Sequence, residues 1–146
     1  GLFPRNRLAG KLSHQVEYFA DFVSRNFERF PKAWQGGKAL VQAHCHHHAV
    51  FGFQSELDIL QRLGIEAERP PQGCCGMAGS FGFSAETHDV GQAIGERVLL
   101  PAVRKALPDT LILADGFSCR EMIEQGTGRE TLHIAQLLER RMLRKN

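Results

Sequence analysis

Closely spaced cysteine pairs are missing from these 146 residues: none of the four cysteines is separated from another in the C-x₂₋₄-C manner that structural zinc sites usually show. Four cysteines are also too sparse, at this length, for the disulfide frameworks of small secreted domains. No apolar run approaches a membrane span, and no secretory leader is visible. Net charge is only +2, and no basic run is interleaved with aromatics, so neither composition nor pattern points to nucleic acid. Tyrosine and tryptophan occur once each, as Tyr18 and Trp34, and neither carries a chemical signal in the sequence. Internal repeats and low-complexity tracts are absent.

What remains is the composition of an ordinary globular chain, 42% hydrophobic and 23% charged, long enough to bury roughly 70% of its unfolded surface in one domain. A first residue of Gly1 rather than methionine suggests a piece of a longer protein. Residues 1–12, with Pro, Gly and several basic residues in no period, read as a linker or lead-in, and 13–146 as the domain. From Ser13, the residues Val16, Phe19, Ala20, Val23, Phe27 and Phe30 recur at helical spacing until Pro31. The run "KALVQA" (38–43) predicts a buried strand. Ser55 is expected to cap "SELDILQRLG", with Gly64 in the left-handed position behind it. "IEAE" (65–68) reads as a short strand ended by Pro70 and Pro71. Ser84 is expected to open a long helix to about Leu100, with Pro101 starting a further turn. "TLILAD" (110–115) is the clearest strand. "SCRE" (118–121) has the form of a capping box, Ser118 with Glu121, and a last helix runs from about Ile134 to Arg144 with Ile134, Leu137, Leu138 and Met142 apolar. This alternation predicts a small three-layer α/β domain with a mainly parallel sheet of three or four strands.

On that map the thiols fall in three separate loops. Cys45 follows the first strand in "AHCHHHA", Cys74 and Cys75 follow the second in "GCCGMAGSFGF", and Cys119 follows the third in "ADGFSCRE". The loops at the carboxyl ends of parallel strands share one edge, where ligand sites form. A disulfide between the adjacent pair would strain the intervening peptide. The glycines at 73, 76, 79 and 82 would let the main chain turn sharply and aim N–H groups at a negative centre, and a helix start at Cys119 would favour thiolate. Consecutive side chains diverge, which suits a polynuclear cluster better than a single ion. An iron–sulfur cluster, zinc and unligated thiols all stay open on the residues alone.

These three motifs resemble the cysteine-rich CCG domain, whose signature stands here as Cys74, Cys75 and Gly76. That domain occurs in heterodisulfide reductase subunits, in glycolate oxidase iron–sulfur subunits, and at the C-terminal end of FAD-linked oxidases of the D-lactate dehydrogenase type. The last group is the nearest in motif detail. The resemblance implies an electron-transfer domain of a FAD-dependent 2-hydroxy-acid oxidoreductase, with a [4Fe-4S] cluster on Cys45, Cys74, Cys75 and Cys119. An exposed cluster spread over several loops is oxygen-labile, so it is expected to be lost or replaced by zinc in the isolated piece, and no catalytic residue is expected within it. FAD and the flavin and ferredoxin-type domains would belong to the rest of the parent protein, in the cytoplasm or peripheral to the inner face of the membrane. Met122 stands where the family places a further cysteine, which puts a five-cysteine cluster in doubt. A rival reading is a zinc-bound or metal-free domain that docks the flavin portion or partner subunits. Another is a thiol-redox enzyme with Cys74 or Cys75 as nucleophile.

Around the thiols, His44 or His46 is the expected donor to a cluster sulfur, with His47 and His48 on the surface, because consecutive histidines cannot all converge. Arg120 and Arg129 flank the Cys119 helix, where a cation would raise a cluster's reduction potential, although solvated arginines fit equally. His88 and His133 read as helix-terminal or satisfied core residues. A phosphate cradle is disfavoured because the glycine loop has no Lys-Ser/Thr ending.

Overall fold

Alternating side chains of three short strands feed two separate cores. The computed structural model describes residues 3, 5–30, 36–70 and 73–143; Pro31, Trp34, Pro71 and Arg144, singled out in the sequence, lie outside them. Strands β1 (Gly37–Gln42), β2 (Ile65–Glu68) and β3 (Leu111–Ala114) form one parallel sheet in the order β2-β1-β3. Ala39 pairs with Ala67 on one side and Leu111 on the other. Leu132 adds a parallel bridge beside β3, exchanging N–H···O bonds with Ile112 and Ala114.

Because a strand repeats every two residues, Ala39, Val41 and Leu113 fall on one face and Leu40, Ile112 and Ala114 on the other. The first set packs under α2 (Phe19–Arg25), α4 (Gln54–Arg62) and α8 (Ile134–Leu143), through Ala20, Val23, Ile59, Leu60, Leu137 and Leu138. The second packs under α6 (Leu99–Lys105) and α7 (Phe117–Thr127), through Leu99, Leu100, Val103, Cys119, Met122 and Ile123. Each fully buried leucine or isoleucine here contributes about 1.5–3 kcal/mol. Both faces are covered, giving the three layers that the strand–helix alternation predicts.

The chain leaves β1 for β2 on one side, then passes over β1 to reach β3 on the other. Such a reversal, here between β1 and β3, is where ligand sites form at the carboxyl ends of parallel strands. Two further helices shape this edge: α3 (Cys45–Val50) directly after β1, and α5 (His88–Gly95) after the cysteine loop.

Several helix boundaries differ from those the sequence predicts. The 1–12 segment is not irregular throughout: Asn6 accepts hydrogen bonds from the backbone N–H groups of Leu8 and Ala9 and starts α1 (Arg7–Gln15), which buries no residue. The helix predicted from Ser13 is broken by extended backbone at Val16 and Tyr18, and it ends in a 3-10 turn at Phe27–Arg29. Ser84 does not open a helix. It closes the 3-10 turn Phe81–Phe83, and the predicted long helix is split into α5 and α6, the latter with Pro101 as its third residue. Ser55 lies inside α4 and donates to Asp21 instead of capping. Gly64 does take the left-handed conformation, at φ 72°.

Candidate functional site

Cys45 is the first residue of α3, Cys74 and Cys75 lie in the loop after β2, and Cys119 is the third residue of α7. All four are free thiols, Cys45 and Cys74 exposed and Cys75 and Cys119 buried. Each strand end places its cysteine by a separate local device.

The β1 device is Gln42. Its buried side chain donates through Nε2 to the carbonyl of Gly73, 3.1 Å away, and ties the cysteine loop to the end of the central strand. The loop itself turns through Gly76 at φ 85°, where a β-carbon would stand 2.0 Å from the carbonyl oxygen of Gly91. Gly91 and Gly95 of α5 are bare in turn, so the loop lies directly on the helix: β-carbons on them would meet the Gly76 carbonyl at 3.0 Å and the Cys75 carbonyl at 3.2 Å. The β3 device is Gly116, the N-cap of α7. Its missing side chain leaves room for the His44 ring, whose Cδ2 would lie 2.5 Å from a β-carbon. The cap is therefore Gly116, and Ser118 and Glu121 form no capping box, because a residue with a side chain would collide with His44.

The thiols influence one another's ionisation. The neighbouring Cys119 thiol, and after it the N–H groups of Met77 and Ala78, pull Cys75 down to about 6 against its burial. Cys119 is pushed up, first by the Cys75 bond, then by burial, then by Cys75, Cys45 and Cys74 acting as like charges. Cys45 is raised by shielding from water and by Cys74 and Cys75. The N–H of Gly76 donates to Cys74 Sγ at 3.3 Å. Each thiol thus has another thiol as an electrostatic neighbour, and the glycine loop turns N–H donors toward the sulfurs. Four thiolates brought together would repel one another, and protons or a positive centre relieve that repulsion. The donor set suits one: four soft sulfurs with backbone N–H groups behind them.

The expected helpers fall in different places. His44 packs against Gly116, and His46 is exposed beside it, with ring centroids 6.5 Å apart. Among the described residues neither ring donates to a thiol. Arg120 is no free cation: its Nη1 donates to the carbonyls of Ala114 and Asp115, both at 3.0 Å, and so fixes the end of β3. Arg129 holds the opposite end, donating to the carbonyls of Ala106, Leu107 and Thr110. His88 and His133 sit at helix starts, His88 Nδ1 beside the Gly82 carbonyl and His133 Nδ1 accepting from Ala135 N–H.

Two residues contradict their sequence reading. His47 is buried, not on the surface, and Tyr18 is at the centre of a polar network. Because α3 begins at Cys45, its helical turn swings His47 inward onto Tyr18, Phe51 and Phe53 while His46 and His48 remain exposed. The four-residue spacing of His47 and Phe51 was the available signal, obscured by the neighbouring histidines. Burial lowers His47 and raises Glu56 to about 7, and burial beside Asp115 holds the Tyr18 hydroxyl protonated.

A cleft of about 300 Å³ opens beside Cys45 and Cys74, lined also by Gln42, His48, Arg69 and Gly73. A larger one, about 720 Å³, lies against β1, β2 and α6 among Lys38, Glu66, Arg97 and Lys105, and holds no thiol. Around the cysteine loops Val50, Phe51, Phe83 and Phe117 are exposed, with the Phe83 and Phe117 rings stacked at 6.5 Å. Among the described residues no helix is long and apolar enough to cross a membrane.

Over 80 residues, 55% of its length, the chain is 36% identical to D-2-hydroxyglutarate dehydrogenase of Escherichia coli (strain K12) and covers 8% of that protein. The protein of the same name from Pantoea ananatis (strain AJ13355) is 35% identical over the same length, again 8% of the relative. Over 102 residues, 69% of the chain, it is 29% identical to one of the subunits of the anaerobic glycerol-3-phosphate dehydrogenase of Escherichia coli (strain K12), covering 25% of that relative. The chain therefore spans a minor part of the length of the curated relatives it matches. No protein-family model matches it, and no solved structure does.

Proposed function

We propose that this chain is an electron-relay domain of a larger flavin-dependent oxidoreductase acting on a 2-hydroxy acid, and that Cys45, Cys74, Cys75 and Cys119 hold a [4Fe-4S] cluster. The observation that carries the reading is the delivery of four free thiols from the ends of three parallel strands, near enough to shift one another's ionisation, with no disulfide among them. The cluster would supply one-electron transfer. The chain's own part is to hold and tune it. Gly76, Met77 and Ala78 present N–H groups to sulfur, which stabilises the more negative, reduced form and raises the potential. Cys75 and Cys119 anchor the centre in the apolar layer under α6 and α7, while exposed Cys45 and Cys74 mark the side from which electrons enter or leave.

The similarity to parts of two kinds of dehydrogenase supports the oxidoreductase assignment. The exposed aromatics around the thiol loops fit a docking face for the flavin and ferredoxin-type parts of the parent protein. Thiols kept reduced for cluster binding accord with a cytoplasmic setting, free or against the inner face of the membrane.

Anaerobic reconstitution with iron and sulfide tests this reading. About four irons and four sulfides per chain are expected, with loss of the cluster in Cys75→Ser and Cys119→Ser. A chain that rejects iron but retains one zinc on the same thiols would overturn the relay and leave the interaction-domain reading.

A further inference from the structure

On the opposite face of the sheet from Cys75 and Cys119, Tyr18, His47, Glu56 and Asp115 form a polar knot that the thiol site does not use. Their hydrogen bonds fix one another's protons. Asp115 Oδ2 accepts the Tyr18 hydroxyl at 2.8 Å, so Tyr18 has spent its only proton. The Tyr18 oxygen, 3.0 Å from His47 Nδ1, must then accept from it. In a neutral imidazole that leaves Nε2 a bare lone pair. This nitrogen faces Glu56 Oε1 at 2.9 Å, and Glu56 Oε1 is fully buried, in a side chain only 3% exposed, without any hydrogen-bond partner.

Two buried lone pairs facing each other at this separation are costly unless something positive lies between them. Asp115 supplies a third donor, and one ligand atom from each of His47, Glu56 and Asp115 lies within 4.8 Å of the others. Bonds of about 2.0–2.2 Å to nitrogen and carboxylate oxygen span that group with little movement. The surrounding contacts are those that orient metal ligands: His47 is held through its other nitrogen by Tyr18, and Asp115 Oδ1 accepts from Ile134 N–H at 3.1 Å. We propose that His47, Glu56 and Asp115 bind a single divalent first-row transition-metal ion, independently of whatever the cysteines hold. One imidazole with two carboxylates suits manganese, iron(II) or zinc and discriminates against the soft ions that thiolates select.

Manganese(II) is the probe, because it prefers oxygen donors to thiolate. The full chain is stripped with chelator, kept reduced and titrated, with free manganese counted by electron paramagnetic resonance. One bound ion per chain is expected, retained in the Cys45→Ser/Cys74→Ser double variant and bound at least tenfold more weakly by Glu56→Gln and by His47→Gln. Circular dichroism reports whether each variant is folded. A second measurement needs no variant at the knot: cobalt(II) taken up by the chain with all four cysteines changed to serine should show only the weak ligand-field bands of nitrogen and oxygen ligation. Failure to bind manganese, binding unchanged in folded Glu56→Gln, or binding lost with the cysteines would overturn the proposal. In that case Glu56 carries a proton and donates it to His47.

Discussion

Replacing Gly76 by alanine tests whether the cysteine loop is held by close backbone approach. Gly76 sits at φ 85°, and its β-carbon position is 2.0 Å from the carbonyl oxygen and 2.8 Å from the carbonyl carbon of Gly91. The left-handed conformation alone costs alanine about 1–2 kcal/mol. The collision is with helix backbone, which cannot rotate aside as a side chain could, and overpacking of this kind costs about 1–3 kcal/mol more. The whole effect is therefore on the order of 3 kcal/mol, or roughly 6–12 °C in melting temperature for a domain this size. Gly79→Ala is the control. Gly79 also has positive φ, at 68°, but nothing lies within 4 Å of its β-carbon position, so only the conformational cost of about 1–2 kcal/mol applies. Urea unfolding of the reduced, metal-free chain reads both. Iron content after anaerobic reconstitution should fall in Gly76→Ala and persist in Gly79→Ala, because only the former displaces Cys74 and Cys75 from α5. Equal destabilisation by the two variants, or a Gly76→Ala chain within about 1 kcal/mol of wild type, would refute the argument.

Thiolate absorbance of the metal-free chain should show one thiol ionising near pH 6, because Cys75 is pulled down to about 6. Cys119→Ala, which removes the largest cause, should move that ionisation back up toward the ordinary thiol range. The stability that Cys75 contributes is complete above the unfolded thiol's range and is lost as pH falls through about 6, a slope that Cys75→Ala should abolish in denaturation measured across pH. Arg129→Met should destabilise by about 2–3 kcal/mol, since three carbonyls lose a charged donor, yet leave iron content unchanged because Arg129 lies at the far end of β3. Phe83→Ser/Phe117→Ser should retain the cluster but weaken capture by the flavin-containing part of the parent protein at least tenfold, as measured by calorimetry; unchanged affinity would remove these rings from the docking face.

Local chemistry made much of this protein legible in one dimension. The runs at 38–43, 65–68 and 110–115 are strands because short apolar stretches flanked by glycine and proline can be satisfied in a buried parallel sheet, and the cysteines follow those strands in the sequence itself. What the sequence could not carry was the order β2-β1-β3, which depends on which edges pair across long separations. Capping motifs misled for the same reason. Ser55 and Ser118 have the right neighbours for caps, but Asp21 claims the first and the His44 ring imposes glycine ahead of the second. The predicted helix from Ser84 to Leu100 gave way at 84–87, where Ser84 closes a 3-10 turn, and at 96–98, where Val98 meets Gly73. The Tyr18–His47–Glu56–Asp115 knot was invisible because its members are far apart in the chain, Tyr18 and Asp115 by 97 positions. Periodicity and local turn chemistry act over a few residues, so the sequence by itself determined the strands and the placing of thiols after them. Only folding brought distant side chains near enough to exchange protons and charge, and that decided which buried polar groups meet.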